Sequence, residues 1–191
     1  MDIKTSLYIL FHYLKVLIHP QYKCKKINVL FSAIYDNDVR AVKYLLDRNL
    51  NSDDEIDIIN STFNHIYPLI TSVALRHTEI VRLLISYKSN VNKQDRLYKK
   101  AALHMAVQNN DYNISKILLE NGANPNVVDF EMCTPMHIAL LFNPTNSKLV
   151  SMLLKYGSDI HLKDKYGKSS IDLASNKRVS EEIKMLIRVA K

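Results

Sequence analysis

The sequence predicts an all-α solenoid of about five helix-turn-helix repeats with an N-terminal capping helix, on three observations. A polar motif recurs, with His104 and His137 standing 33 residues apart and His137 and Asp172 standing 35 apart. An apolar helical segment follows each copy at a similar offset. All three glycines of the 191-residue chain, Gly122, Gly157 and Gly167, fall at repeat-equivalent turns.

In chain order, residues 1–27 read as an amphipathic helix and a basic segment. Leu7, Leu10, Phe11, Leu14, Leu17 and Ile18 recur at helical spacing and share one face. Lys15 interrupts the apolar run, no small-residue cleavage site follows it, and it is too short to span a bilayer. The expectation is a helix that packs on the first repeat.

The repeats are placed at 28–61, 62–94, 95–128, 129–163 and 164–191. Their second helices are read from Val42–Leu46, Ile80–Ile85, Ile114–Leu119, Leu149–Leu154 and Ile183–Ile187. Ahead of the last three run Asp95-Arg96-Leu97-Tyr98 to Ala102–Ala106, Asp129-Phe130-Glu131-Met132-Cys133-Thr134-Pro135-Met136-His137-Ile138-Ala139, and Asp164–Ala174. These resemble the ankyrin signature D-x-x-G-x-T-P-L-H-x-A. Asn121–Asn126 and Tyr156–His161 resemble the ankyrin ending x-G-A-D-V-N, and Ser89-Asn90-Val91-Asn92 is a copy lacking its glycine. The chain is thus similar to the ankyrin-repeat family, whose period is about 33 residues.

The signature's chemistry is structural. Thr134 is expected to cap a helix, Pro135 and Pro68 to occupy first-turn positions that need no N–H, and the histidines to bond polar groups of the turn. Lys100-Ala101 is read in place of Thr-Pro, leaving the third repeat's first helix the least well capped. The 39-residue spacing from Val42 to Val81 places an insertion in 51–64, where Ser52-Asp53-Asp54-Glu55 resembles a capping box. A further insertion lies at Asn143–Ser147, between the helices of the fourth repeat.

Composition and charge narrow the function classes. The net charge of +7 is concentrated at the two ends, with five Lys against one Asp in 1–28 and eight Lys/Arg against four acids in 161–191. The basic ends are read as solvated caps rather than as a nucleic-acid surface, because no recognised fold organises them. Cys24 and Cys133 match neither a disulfide framework nor a metal-ligand pair. His104, His137 and His77 are repeat residues, so no metal and no cofactor is expected. No nucleophile elbow, phosphate loop or zinc-protease motif occurs, and Asp172 with His137 reflects repeat equivalence rather than a dyad. No enzyme is expected.

The family resemblance implies a concave face on which hairpin tips and first helices meet a partner. The positions it implies are Ala74 and Leu75; Arg96, Leu97, Tyr98, Gln108 and Asn109; Phe130, Glu131, Cys133, Leu141 and Phe142; Lys165, Tyr166, Lys168, Asn176 and Lys177. The sharpest candidates for partner binding are Leu97, Tyr98, Phe130, Met132, Leu141, Phe142, Tyr166, Lys165 and Lys168. The alternative is that the insertion at 143–147 folds over Leu141 and Phe142.

In texture the chain resembles the ankyrin proteins of poxviruses, being rich in Ile, Lys, Asn, Asp and Tyr, with no Trp and with degenerate repeats. That resemblance implies a monomeric, non-enzymatic host-range or innate-immune inhibitor that sequesters a host protein in the cytoplasm, and in the nucleus as well. No small-molecule substrate and no membrane are implied. Many such proteins end in an F-box-like segment. The chain stops at Lys191 after a repeat helix, so blocking is expected ahead of ubiquitin-ligase adaptor action, with a basic nucleic-acid-associated module as the third class.

Overall fold

The computed structural model describes residues 25–50 and 57–190. The helix expected over Leu7–Ile18 and the extra turn expected at Ser52–Glu55 lie outside the described residues. The described residues form ten helices: α1 (Lys25–Tyr35), α2 (Val39–Leu50), α3 (Pro68–Ala74), α4 (Thr78–Ser86), α5 (Ala102–Gln108), α6 (Tyr112–Glu120), α7 (Pro135–Phe142), α8 (Ser147–Lys155), α9 (Ser170–Ala174) and α10 (Glu181–Val189). Among the described residues there is no strand, only isolated bridges such as Gln94 to Ala101 and Lys163 to Ser169. The protein is an all-α repeat solenoid.

Each pair forms for local reasons. In α4, Ile80, Val81 and Leu84 fall on one side and are buried, while Glu79 is exposed. The second helices α6 and α8 start on side-chain caps: Asp111 accepts from the Ile114 N–H at 2.9 Å and Asn146 from the Leu149 N–H at 3.0 Å. They end where Gly122 and Gly157 turn left-handed, at φ +83° and +86°.

Stacking builds the core. First helices pack in the series α1, α3, α5, α7, α9, and second helices in the series α2, α4, α6, α8, α10. Leu69, Leu84, Leu103, Ile114, Leu118 and Met136 are almost fully enclosed by this packing. Each buried Leu, Ile or Met contributes about 1.5–3 kcal/mol, which no single repeat could gather alone.

Polar bonds run between the repeats as well. The buried His104 and His137 each accept at Nδ1, from the Ala101 N–H at 3.1 Å and the Thr134 N–H at 3.2 Å. The remaining nitrogen, Nε2, therefore carries the proton and donates to the next repeat, to the Cys133 carbonyl at 3.0 Å and the Lys168 carbonyl at 3.1 Å. Asn92 and Asn126 do the same at the other end of the helices, donating to the Gly122 and Gly157 carbonyls at 2.9 Å. His77 bonds the Ile34 carbonyl at 2.9 Å, tying the second repeat to the first.

One alignment needs correction by a residue. Ala101 takes the cap position of Thr134, and Ala102 takes that of Pro135, so Ala101-Ala102 rather than Lys100-Ala101 replaces Thr-Pro. Alanine has no side-chain acceptor, so only the return bond from His104 remains. Nor is α5 alone in this, because α3 begins at Tyr67 without a side-chain cap either. In the fifth repeat Ser169 and Asp172 rebuild the box: the Ser169 N–H and hydroxyl donate to Asp172 at 2.9 and 2.8 Å. Those bonds, the backbone one foremost, hold the Asp172 carboxyl below the usual range.

Candidate partner-binding site

The hairpin tips are organised by three aspartates that the sequence reading left without a role. Asp95, Asp129 and Asp164 are buried, with each carboxylate folded back on its own tip. Asp95 accepts from the N–H groups of Leu97, Tyr98 and Lys100 at 2.9, 2.6 and 2.8 Å. Asp129 accepts from Glu131 and Cys133, both at 2.9 Å, and Asp164 from Tyr166 and Lys168 at 2.9 and 2.8 Å. Their shared place in the signature was the signal that could have identified them.

Successive tips are joined edge to edge. The Phe130 N–H donates to the Tyr98 carbonyl at 2.9 Å, and the Lys165 N–H to the Glu131 carbonyl at 3.0 Å. This main-chain seam sets the tip side chains of repeats three to five in one row.

Behind the row opens a cleft of about 540 Å³. Tyr98, Phe130, Leu141, Phe142 and Tyr166 line it, over Cys133, Ile138 and Leu173, with Lys100 and Lys168 at its edge. Phe130, Phe142 and Tyr166 are 65%, 56% and 74% exposed, which is far from the burial such rings have in a core. Leu97 and Met132 are also exposed, but on the tips outside the cleft lining. Lys165 is outside it too, held in an ion pair with Glu131 and lying 5.0 Å over the Tyr166 ring. Bonding to Glu131 holds its ammonium above the usual lysine range.

The insertion at 143–147 does not cover Leu141 and Phe142. Asn143 donates to the Val107 carbonyl at 2.7 Å, Asn146 to Asn110 at 2.6 Å, and the Pro144 carbonyl accepts from the Ser180 N–H at 2.9 Å. These bonds pin the loop to its two neighbouring repeats, and Leu141 stays 52% exposed.

Two other positions implied by the resemblance are not free surface. Asn109 spends its amide on the Val73 and Ala74 carbonyls at 3.3 Å. Cys133 is buried in the floor, where desolvation first and the carboxylates of Asp129, Asp164 and Glu131 next push its thiol to about 11. A thiol so raised is protonated at neutral pH and is a poor nucleophile.

A second groove of about 380 Å³ lies along α6, α8 and α10. Tyr112, Lys116, Lys148, Lys155, Tyr156 and Glu182 give it a mixed polar lining, in contrast to the cleft. Among the described residues no cluster of three His, Cys, Asp or Glu is placed to hold a metal ion, and no helix is long and apolar enough to cross a membrane.

In comparison with known proteins, a family model of ankyrin repeats (3 copies) matches four overlapping stretches, residues 8–95, 30–129, 73–164 and 103–190. An ankyrin repeat protein of Fowlpox virus (strain NVSL) is 26% identical over 176 residues, 90% of this chain and 50% of that protein. One of Acanthamoeba polyphaga mimivirus is 32% identical over 117 residues, 61% of this chain and 66% of that protein. An E3 ubiquitin-protein ligase of Arabidopsis thaliana is 29% identical over 111 residues, 57% of this chain and 7% of that protein. This chain thus spans half the length of the fowlpox protein and a small part of the plant ligase.

Proposed function

We propose that this chain, which belongs to the ankyrin-repeat family, is a viral, non-enzymatic scaffold that sequesters or blocks a host protein through the cleft of repeats three to five. Ankyrin repeats are protein-interaction modules, and the observation that carries the finer reading is the row of exposed rings over an apolar floor. Tyr98, Phe130, Phe142 and Tyr166 leave water in contact with a surface that a partner would dry. Aromatic anchors in a pocket are what concentrates affinity at protein interfaces.

Viral origin and action in the host cytoplasm, with the nucleus as a second site, are parts of the same proposal. The fowlpox and mimivirus relatives support it. Catalysis has little support from the site: its thiol is protonated, and its histidines and aspartates are committed to backbone bonds.

Affinity purification from infected cells tests the proposal. Recovery of one host signalling protein in amounts near equal to the bait supports blocking. Recovery of cullin components would favour the adaptor reading, and nuclease-sensitive recovery would favour a nucleic-acid module. Turnover of a substrate that a single point change abolishes would overturn the non-enzymatic reading.

A further inference from the structure

The charge exposed around the cleft is mostly cationic, with Glu131 the half-exposed acid among its lining residues, and this goes a step beyond the proposal that the cleft is a binding surface, on which it rests. Along the tips of repeats three to five, Arg96, Lys99, Lys165 and Lys168 are exposed and Lys100 reaches the cleft's edge. Four acids stand among them. Asp95, Asp129 and Asp164 are buried, with both oxygens of Asp95 and the Oδ1 of Asp129 and of Asp164 taken by tip N–H groups. Glu131 is engaged by Lys165. With the Lys165–Glu131 pair set aside, the exposed charge at the tips, from Arg96, Lys99 and Lys168, is cationic, while at the floor the carboxylates dominate, as the raised Cys133 thiol shows.

We infer that the cleft takes a short acidic segment of a partner protein, which inserts an aromatic or aliphatic side chain between Phe130, Phe142 and Tyr166. Carboxylates flanking that side chain meet Lys100 and Lys168, both of which border the cleft. Lys100 is held toward it by donating to Gln108 Oε1 at 2.8 Å, so it loses little freedom on binding. Charge complementarity of this kind sets partner choice and association rate, while the apolar anchor supplies the affinity.

A nucleic acid is the other polyanion with use for rings and lysines, and the shape of the site argues against it. Ring stacking on single strands needs open platforms for successive bases. Here the rings flank a single recess lined also by Cys133, Ile138 and Leu173, with room for one or two side chains.

The test is selection of a displayed random-peptide library on the immobilised chain, followed by affinity measurement of the enriched peptides. Wild type is compared with Phe130→Ala/Phe142→Ala and with Lys100→Glu/Lys168→Glu, each checked for an unchanged melting curve. Enriched peptides should carry an aromatic or aliphatic residue with Asp or Glu close by. Either pair of substitutions should weaken them about tenfold, and the loss from the lysine pair should shrink at high salt.

Enrichment of neutral or basic peptides that need Phe130 and Phe142 but ignore Lys100 and Lys168 would overturn this inference while leaving the binding cleft in place. Peptides insensitive to both pairs, or no enrichment, would overturn both. Tighter binding of a single-stranded oligonucleotide, lost on changing the same residues, would also overturn it.

Discussion

His137 donates from Nε2 to the carbonyl of Lys168, 3.1 Å away, and so fixes the tip of the fifth repeat to the first helix of the fourth. The same ring accepts the Thr134 N–H at its other nitrogen. One side chain thus closes its own helix start and positions Lys168 at the edge of the cleft. His137→Ala leaves the buried Thr134 N–H and the part-buried Lys168 carbonyl without this partner and is expected to cost about 3 kcal/mol. Urea denaturation measures this, and a change below about 1 kcal/mol would show that water replaces the ring.

The burial of His104 gives a pH dependence. Desolvation lowers its pKa from the ordinary 6.5, so the unfolded chain binds the proton more readily than the folded one. The stability it contributes is full above pH 6.5 and is lost as pH falls below that value. Asp172 and Glu181, whose carboxyls are held low by bonds to Ser169 and Lys184, titrate in a more acidic range and leave this window clear. The melting temperature should be level from pH 8 to 7 and fall as pH drops below about 6.5. His104→Gln should start lower and flatten that fall.

Met132 occupies the position that Gly167 fills one repeat later, and takes a left-handed φ of 57° with half its surface exposed. Backbone strain at that position is relieved by glycine. Met132→Gly is expected to stabilise the fold, or at worst leave it unchanged, within about 1 kcal/mol. If Met132 touches the partner from outside the cleft, the same substitution weakens binding. A loss of stability above about 1 kcal/mol would mean the side chain packs in a way the structure does not show.

Cys133 should report on occupancy of the cleft. With its thiol near 11 and the residue buried, alkylation by iodoacetamide at pH 8 should be slow compared with a free cysteine. A peptide or protein seated in the cleft should slow it further. Alkylation of Cys133 at the rate of an exposed thiol would contradict the closed floor.

Much of this architecture was legible because its devices are local and repeated. Thr134-Pro135 marks a helix start by an acceptor and a missing N–H, and Gly122 and Gly157 mark helix ends by their φ. Phe130, Phe142 and Tyr166 could be placed on one side of the solenoid by repeat equivalence alone. Their convergence on one cleft depends on the seam between Tyr98 and Phe130, which no periodicity contains. Cys133 looked exposed because its tip position is exposed, whereas the turn closed by Asp129 points it into the floor. The fate of the 143–147 loop hung on Asn143 and Asn146 finding acceptors in other repeats, a tertiary outcome.

On the proposed function, the partner binds over Phe130 and Phe142. Once a host protein is recovered, its affinity should be measured for wild type and for Phe130→Ala/Phe142→Ala by titration at fixed salt. Both rings are more than half exposed, so the variant should melt within a few degrees of wild type. An affinity loss of about tenfold or more with the fold intact is expected. Equal affinities for the two proteins would contradict it.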